Sequence, residues 1–147
     1  TNSWPDQRQN ESGTAPIGNY MAGFSDYLEN KLLAHSFSNT AFTSPSAVYL
    51  GLFTSAPSDA GGGTELSGGG YTRKVASFTT TGAAATNASA VEFPTASSDW
   101  GTIVAVGIFD AASSGNFLGW SNLTSSRTIE TGDVFRFPAG DVDITLD

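Results

Sequence analysis

Two apolar runs, AVYLGLF over residues 47–53 and GTIVAVGIFD over 101–110, constrain this chain more than any other feature. Strand side chains point alternately to opposite faces. In the first run Val48, Leu50 and Leu52 share one face and Tyr49, Gly51 and Phe53 share the other, so neither face suits water. Runs of this length and pattern, bounded by turn residues, read as central strands. The second run ends in the turn Asp110–Gly115, and NFLGWSNL follows as its hairpin partner. YTRKVASFTT alternates Tyr71, Arg73, Val75 and Ser77 against Thr72, Lys74, Ala76 and Phe78, as a half-exposed strand does. ASAVEFP is a short strand ending at Pro94, and RTIETGDVFRFPAGDVDITLD supplies two or three closing strands with turns at Thr131–Asp133 and Pro138–Gly140. Seven or eight short strands with frequent turn signals predict a mainly β fold, an antiparallel sandwich or open barrel.

One helix is expected ahead of the strands. FSDYLENKLLAHSF, residues 24–37, places Phe24, Tyr27, Leu28, Leu32 and Phe37 at helical spacing, which predicts a buried face packing through Leu28 and Leu32. Ser25 or Asp26 can cap its start, with Glu29 completing a capping box. Residues 1–22 differ in kind: they are polar, and Trp4, Ile17, Tyr20 and Met21 are their large apolar groups. Such a stretch cannot bury enough surface to fold alone. The expected organisation is therefore an extended N-terminal arm, 1–22, and a β-sandwich domain with its helix, 23–147.

Composition removes several classes of function. Charged residues are 14% of the 147, and the net charge is −8, with six Lys and Arg. An acidic chain with few cations is a poor binder of phosphate backbones, so nucleic acid is not an expected partner. No apolar run reaches the length of a membrane-spanning helix, and no basic start leads into an apolar stretch, so neither a membrane partner nor a signal peptide is expected. The absence of cysteine rules out disulfides and thiolate chemistry and fits cytosolic synthesis. Ser, Thr, Asn and Gly must then cover the surface, a neutral coat suited to fixed contacts in an assembly.

The residues that can carry chemistry do not assemble into a site. Two glycine runs, Gly61–Gly63 and Gly68–Gly70, bracket Thr64–Ser67. A phosphate loop needs Lys-Ser or Lys-Thr and a helix behind its glycines, whereas Gly70 leads into Tyr71-Thr72-Arg73 and a strand. The stretch reads as a flexible or Ω-type connection. His35, the sole histidine, sits late in the helix, where it complements the dipole. Asp141 and Asp143 face one side of a strand, but two carboxylates make a poor calcium site, and a solvated face with Val142 and Ile144 inward is the simpler reading. Glu92, Asp99 and Asp110 read as turn residues, and Trp100, Trp120 and Tyr71 as core aromatics rather than a sugar platform. The sequons at Asn10, Asn87 and Asn122 carry no weight without a secretory route. No catalytic, cofactor or metal residue is assigned, and no enzyme is expected.

Four stretches, MAGFSDYLENKLLAHSF, PSAVYLGLFTSAPSDAGGGTELSGGGYTR, VEFPTASSDWGTIVAVGIFDAASSGNFLGWSNL and TGDVFRFPAGDVDITLD, occur in this order from Met21 to Asp147. Together they resemble a family of small tailed-bacteriophage virion proteins, often labelled tail fibre proteins, some of which decorate heads. The resemblance implies a structural protein of the virion, made in the cytoplasm of a bacterial host. Its implied role is a capsid decoration or cement protein on the outer head surface, a homotrimer that binds the major capsid protein and ties capsomers together. The alternative it implies is a tail fibre or adhesin part that binds a host glycan. In that family the counterpart of MAGFSDYLENKLL often opens the chain, whereas twenty residues precede Met21 here. Fully extended, they span at most about 70 Å, enough to cross a capsomer boundary. Trp4, stiffened by Pro5, with Ile17 and Tyr20, is the expected partner-binding set.

Overall fold

The computed structural model describes residues 19–20 and 23–146. Strands dominate, in the order β1 (Asn19–Tyr20), β2 (Gly23–Phe24), α1 (Asp26–Phe37), β3 (Val48–Ser55), β4 (Thr64–Glu65), β5 (Lys74–Ala76), β6 (Phe78–Thr81), β7 (Ala84–Asn87), β8 (Val91–Glu92), β9 (Gly101–Phe109), β10 (Phe117–Ile129), β11 (Arg136–Phe137) and β12 (Val142–Thr145). The larger sheet runs β2-β10-β9-β3-β4, with β5 also on β3, and the second runs β1-β12-β7-β6. A two-stranded ladder of β8 and β11 completes the set. The architecture is the expected mainly antiparallel, open one; among the described residues the β1–β12 pair alone is parallel.

The apolar runs do what their pattern requires. β3 and β9 occupy the middle of the large sheet, in register from Tyr49↔Phe109 to Phe53↔Ala105. Leu50 and Leu52 are fully buried toward the main core, with Ile103, Val106, Phe93, Phe135 and Val142. The opposite face carries a second cluster, Phe53, Ala105 and Phe109, with Phe117 against it. The cross-strand pair Gly51↔Gly107 makes room on that face. A Cβ at Gly107 would lie 2.7 Å from the Phe53 ring, and one at Gly51 would lie 2.8 Å from the Glu65 carboxylate.

Three local expectations change. YTRKVASFTT is not one strand: it breaks at Ser77, and β5 joins the large sheet while β6 joins the small one. NFLGWSNL does not stop at Leu123 but runs to Ile129 as β10, absorbing the first of the supposed closing strands. The helix corrects more sharply. Ser25 caps it as expected, accepting from the Leu28 amide at 3.1 Å and donating to the Phe117 carbonyl. Yet no residue of α1 is buried. Tyr27 and Leu28 pack against the core, Leu32 is half-buried outside it, and Phe37 is 83% exposed. The periodicity is real, but it spans more of the circumference than the neighbouring strands cover, so Leu33 and Phe37 are left exposed.

Candidate functional site

The glycine-rich stretch is the first place to look, and it is fixed rather than flexible. In its middle, β4 pairs with β3, and the Leu66 amide donates to the Leu52 carbonyl. Glu65 then takes three hydrogen bonds at 2.8 Å: two from Arg73, through Nε and Nη2, and one from the Tyr71 hydroxyl. Arg73 spends Nη1 on the Ala111 and Ser114 carbonyls of the β9–β10 turn, and its guanidinium lies 3.4 Å from the centre of the Phe109 ring. The Tyr71 hydroxyl accepts from the Leu52 amide. Burial pushes the Tyr71 phenol well above its ordinary value, and the bond to the Glu65 carboxylate adds to the rise. The loop, the central strand and the neighbouring turn are thus tied at one ion pair, with side chains only 9% and 24% exposed. This hub consumes the donors and acceptors that could have met a ligand.

The second glycine run is equally committed. Gly69 has φ +59°, and a Cβ there would stand 2.8 Å from the Trp100 ring. Its carbonyl accepts from Trp100 Nε1 at 2.7 Å and from the Ser97 amide. The reading as an Ω-type connection is right, and flexibility is not needed to explain the glycines: close approach and positive φ are.

The other sequence candidates fall into place around this frame. Trp100 is buried, and Tyr71 stacks on Phe93 and meets Trp100 edge-on, so these aromatics are core. Trp120 donates to Asp59 Oδ1 at 3.0 Å. Asp143 accepts from the Thr86 hydroxyl, and Val142 is fully buried beside it, the simpler arrangement. Asn87, one of the sequons, is buried and spent on Ser89, Pro138 and Val142, which leaves no room for a glycan. Asp99 and Asp110 are turn residues as expected: the Thr131 amide and hydroxyl hold the Asp99 carboxyl below its ordinary value, and Asp110 ties down Asn116. His35 is exposed, its Nδ1 3.3 Å from the Thr40 carbonyl. Trp4, Pro5 and Ile17 lie outside the described residues. Of that set only the Tyr20 backbone is placed, opposite Asp143 on the edge of the small sheet.

Two features were not foreseen. The pairing of Glu65 with Arg73 is one, although opposite charges flanking a glycine run in a chain this poor in charge are a usable signal. The outer face of α1 was also missed. Leu33 is 58% exposed and stands one turn before Phe37, so two large apolar side chains share an exposed surface of α1.

A chain with a buried structural hub and an outward apolar helix face is equipped for assembly. Comparison with protein families agrees: residues 23–145 match the family described as podophage GP4 fiber I protein gp80. The chain belongs to that family. It is a structural protein of a phage virion, of the fibre type. No curated protein matches the chain.

Proposed function

We propose that this protein is a subunit of a virion fibre, held in the particle by self-association through the outer face of α1. The observation that carries the reading is the placement of Leu33 and Phe37, exposed at 58% and 83% one turn apart on a helix with no buried residue. The family's fibre description supports it. Of the five exposed large apolar side chains among the described residues, Leu33, Phe37, Val75, Val134 and Leu146, the first two stand one turn apart on a single helix and Phe37 is the most exposed, which supports an interaction surface there. Elsewhere the coat is mostly Ser, Thr, Asn and Gly, which resists unplanned association without strong charge.

The test is the mass of the purified protein in solution, wild type against the double substitution Leu33→Ser and Phe37→Ser. The account expects a closed wild-type oligomer and a monomer for the variant, with unchanged strand content by circular dichroism. Equal masses for both proteins would overturn the role of this face. The capsid-decoration reading places the same assembly on the outer head surface, against the major capsid protein. It drew on the arm, whose residues 1–18 lie outside the described ones, and the family description favours the fibre. Copy number per virion separates the two.

A further inference from the structure

β6 is an edge of the small sheet, and its bonding pattern shows which groups it leaves open. It pairs with β7 from Phe78↔Asn87 to Thr81↔Ala84. The Ala88 amide donates to the Ser77 carbonyl, while the Asn87 carbonyl is turned the other way, to the Gly140 amide. Antiparallel pairs alternate between bonded and non-bonded positions. The bonded ones are therefore Ser77–Ala88, Thr79–Thr86 and Thr81–Ala84, and the N–H and C=O groups of Phe78 and Thr80 point away from β7. Among the described residues these groups meet no hydrogen-bond partner.

Proteins blunt exposed strand edges with charge, Pro or a bulge. β6 has none of these: it reads Phe-Thr-Thr-Thr in unbroken register, and Thr79, Thr80 and Thr81 are exposed. From Ser77 to Val91 the sequence holds no ionisable side chain, although the chain carries −8 overall. Two acidic copies repel each other in most orientations, but this stretch adds no charge of its own to oppose contact. The edge is also self-complementary. Phe78 and Thr80 lie on either side of Thr79, so a two-fold axis through Thr79 sets Phe78 opposite Thr80 of a second copy and Thr80 opposite its Phe78.

We propose that β6 pairs antiparallel with β6 of a second copy about Thr79, joining the two small sheets into one. Each bonded pair exchanges both of its N–H···O=C bonds, so the open groups of both edges are all satisfied. The two Thr79 residues meet at the non-bonded position, where Cα atoms are about 4.5 Å apart and threonines pair favourably. Thr79, Thr86 and Asp143 stand in one row across the sheet. In the joined sheet the two Asp143 carboxylates are separated by five strand spacings, about 24 Å, well beyond the screening length of about 8 Å. An edge this short buries far less than the ~1,200 Å² of a stable interface, so the pair is open in dilute solution, including the mass measurement above. It closes among copies already held together, at the roughly millimolar effective concentration of tethered partners. That use rests on the fibre reading; the pairing itself does not.

The experiment follows the amide shifts of the full-length 15N-labelled chain from about 20 μM to about 2 mM, a range that spans the weak affinity expected. It uses the Leu33→Ser, Phe37→Ser protein beside the wild type, so that contacts through α1 do not enter. Shifts at Phe78, Thr79 and Thr80 that rise with concentration toward a plateau are expected in both. Thr79→Lys and Thr79→Glu each set like charges face to face on the two-fold axis and should abolish these shifts. Strand content by circular dichroism should not change, because Thr79 is exposed. An equal mixture of the two variants should restore the shifts, which a merely structural effect of either substitution would not do. Amides at β6 that ignore concentration, as an edge reserved for a different chain would show, overturn the proposal. So do shifts that survive in both variants, or a mixture that stays silent. None of these results changes the copy number in the virion or the mass test of α1, so a failure here and a failure of the fibre reading are told apart.

Discussion

Replacing Glu65 with Ala should destabilise the fold far more than a surface charge change does. Three hydrogen bonds at 2.8 Å end on that carboxylate, and Arg73, its main partner, has a side chain only 9% exposed. Without Glu65 the guanidinium stays buried against Phe109 with the Nε and Nη2 donors that met Glu65 unpaired, and the Tyr71 hydroxyl loses its acceptor. Breaking a buried pair by removing one partner costs about 3–5 kcal/mol. A domain of this size has about 5–15 kcal/mol in total, so the loss is a large share. Arg73→Met alone should cost a similar amount, because it strands Glu65 and the Ala111 and Ser114 carbonyls. The double variant Glu65→Leu, Arg73→Met should cost less than the two singles added, since a buried pair replaced by apolar groups is often near neutral. It should not return fully to wild type, as the two turn carbonyls still lose their donor. Urea unfolding followed by tryptophan fluorescence measures all three. A cost below about 1 kcal/mol for Glu65→Ala, the range of exposed pairs, would refute the idea that this hub holds the loop.

Three further outcomes follow from the same contacts. Gly51→Ala should cost about 1–3 kcal/mol by the same urea assay, because its Cβ would meet Glu65, Phe109 and Tyr71 within 3.1 Å. Alkaline pH should destabilise the protein: the folded Tyr71 phenol is raised, so its contribution is complete below the ordinary value of 10.0 and declines above it, by about 1.4 kcal/mol per pH unit, a slope that Tyr71→Phe removes. Leu28→Asp should lower the melting temperature, by about 2 kcal/mol of stability or more, since Leu28 faces the apolar gap between the two sheets, whereas Leu32→Asp should cost less than about 1 kcal/mol.

The parts of the fold that could be read in advance are those where both strand faces are apolar. Tyr49, Gly51 and Phe53 on one side and Leu50 and Leu52 on the other leave no alternative but a central strand, and β9 follows for the same reason. The course of β10 was hidden because its bulge and second half, Thr124–Thr128, are exposed polar residues that look like loop. The switch at Ser77 was hidden because passing from one sheet to another changes a strand's partners, not its composition. The hairpin of β6 and β7 around Gly82 had only a glycine and small residues to announce it. In α1, spacing located the helix but could not tell an apolar side chain turned to the core from one turned outward, as Leu28 and Phe37 show. The hub was less legible still, because Glu65 and Arg73 are eight residues apart in sequence and pair across a glycine run whose docking on β3 no periodicity announces.

The central claim, a fibre subunit rather than a head decoration, is tested most directly by counting this chain in purified virions, by quantitative mass spectrometry against the major capsid protein. The account predicts a few copies to a few dozen per particle, in a multiple set by the fibre's symmetry, and density for the domain at the tail in a cryo-EM map of the same preparation. Hundreds of copies, with density spread over the head lattice, would contradict it and return the protein to the outer surface of the capsid.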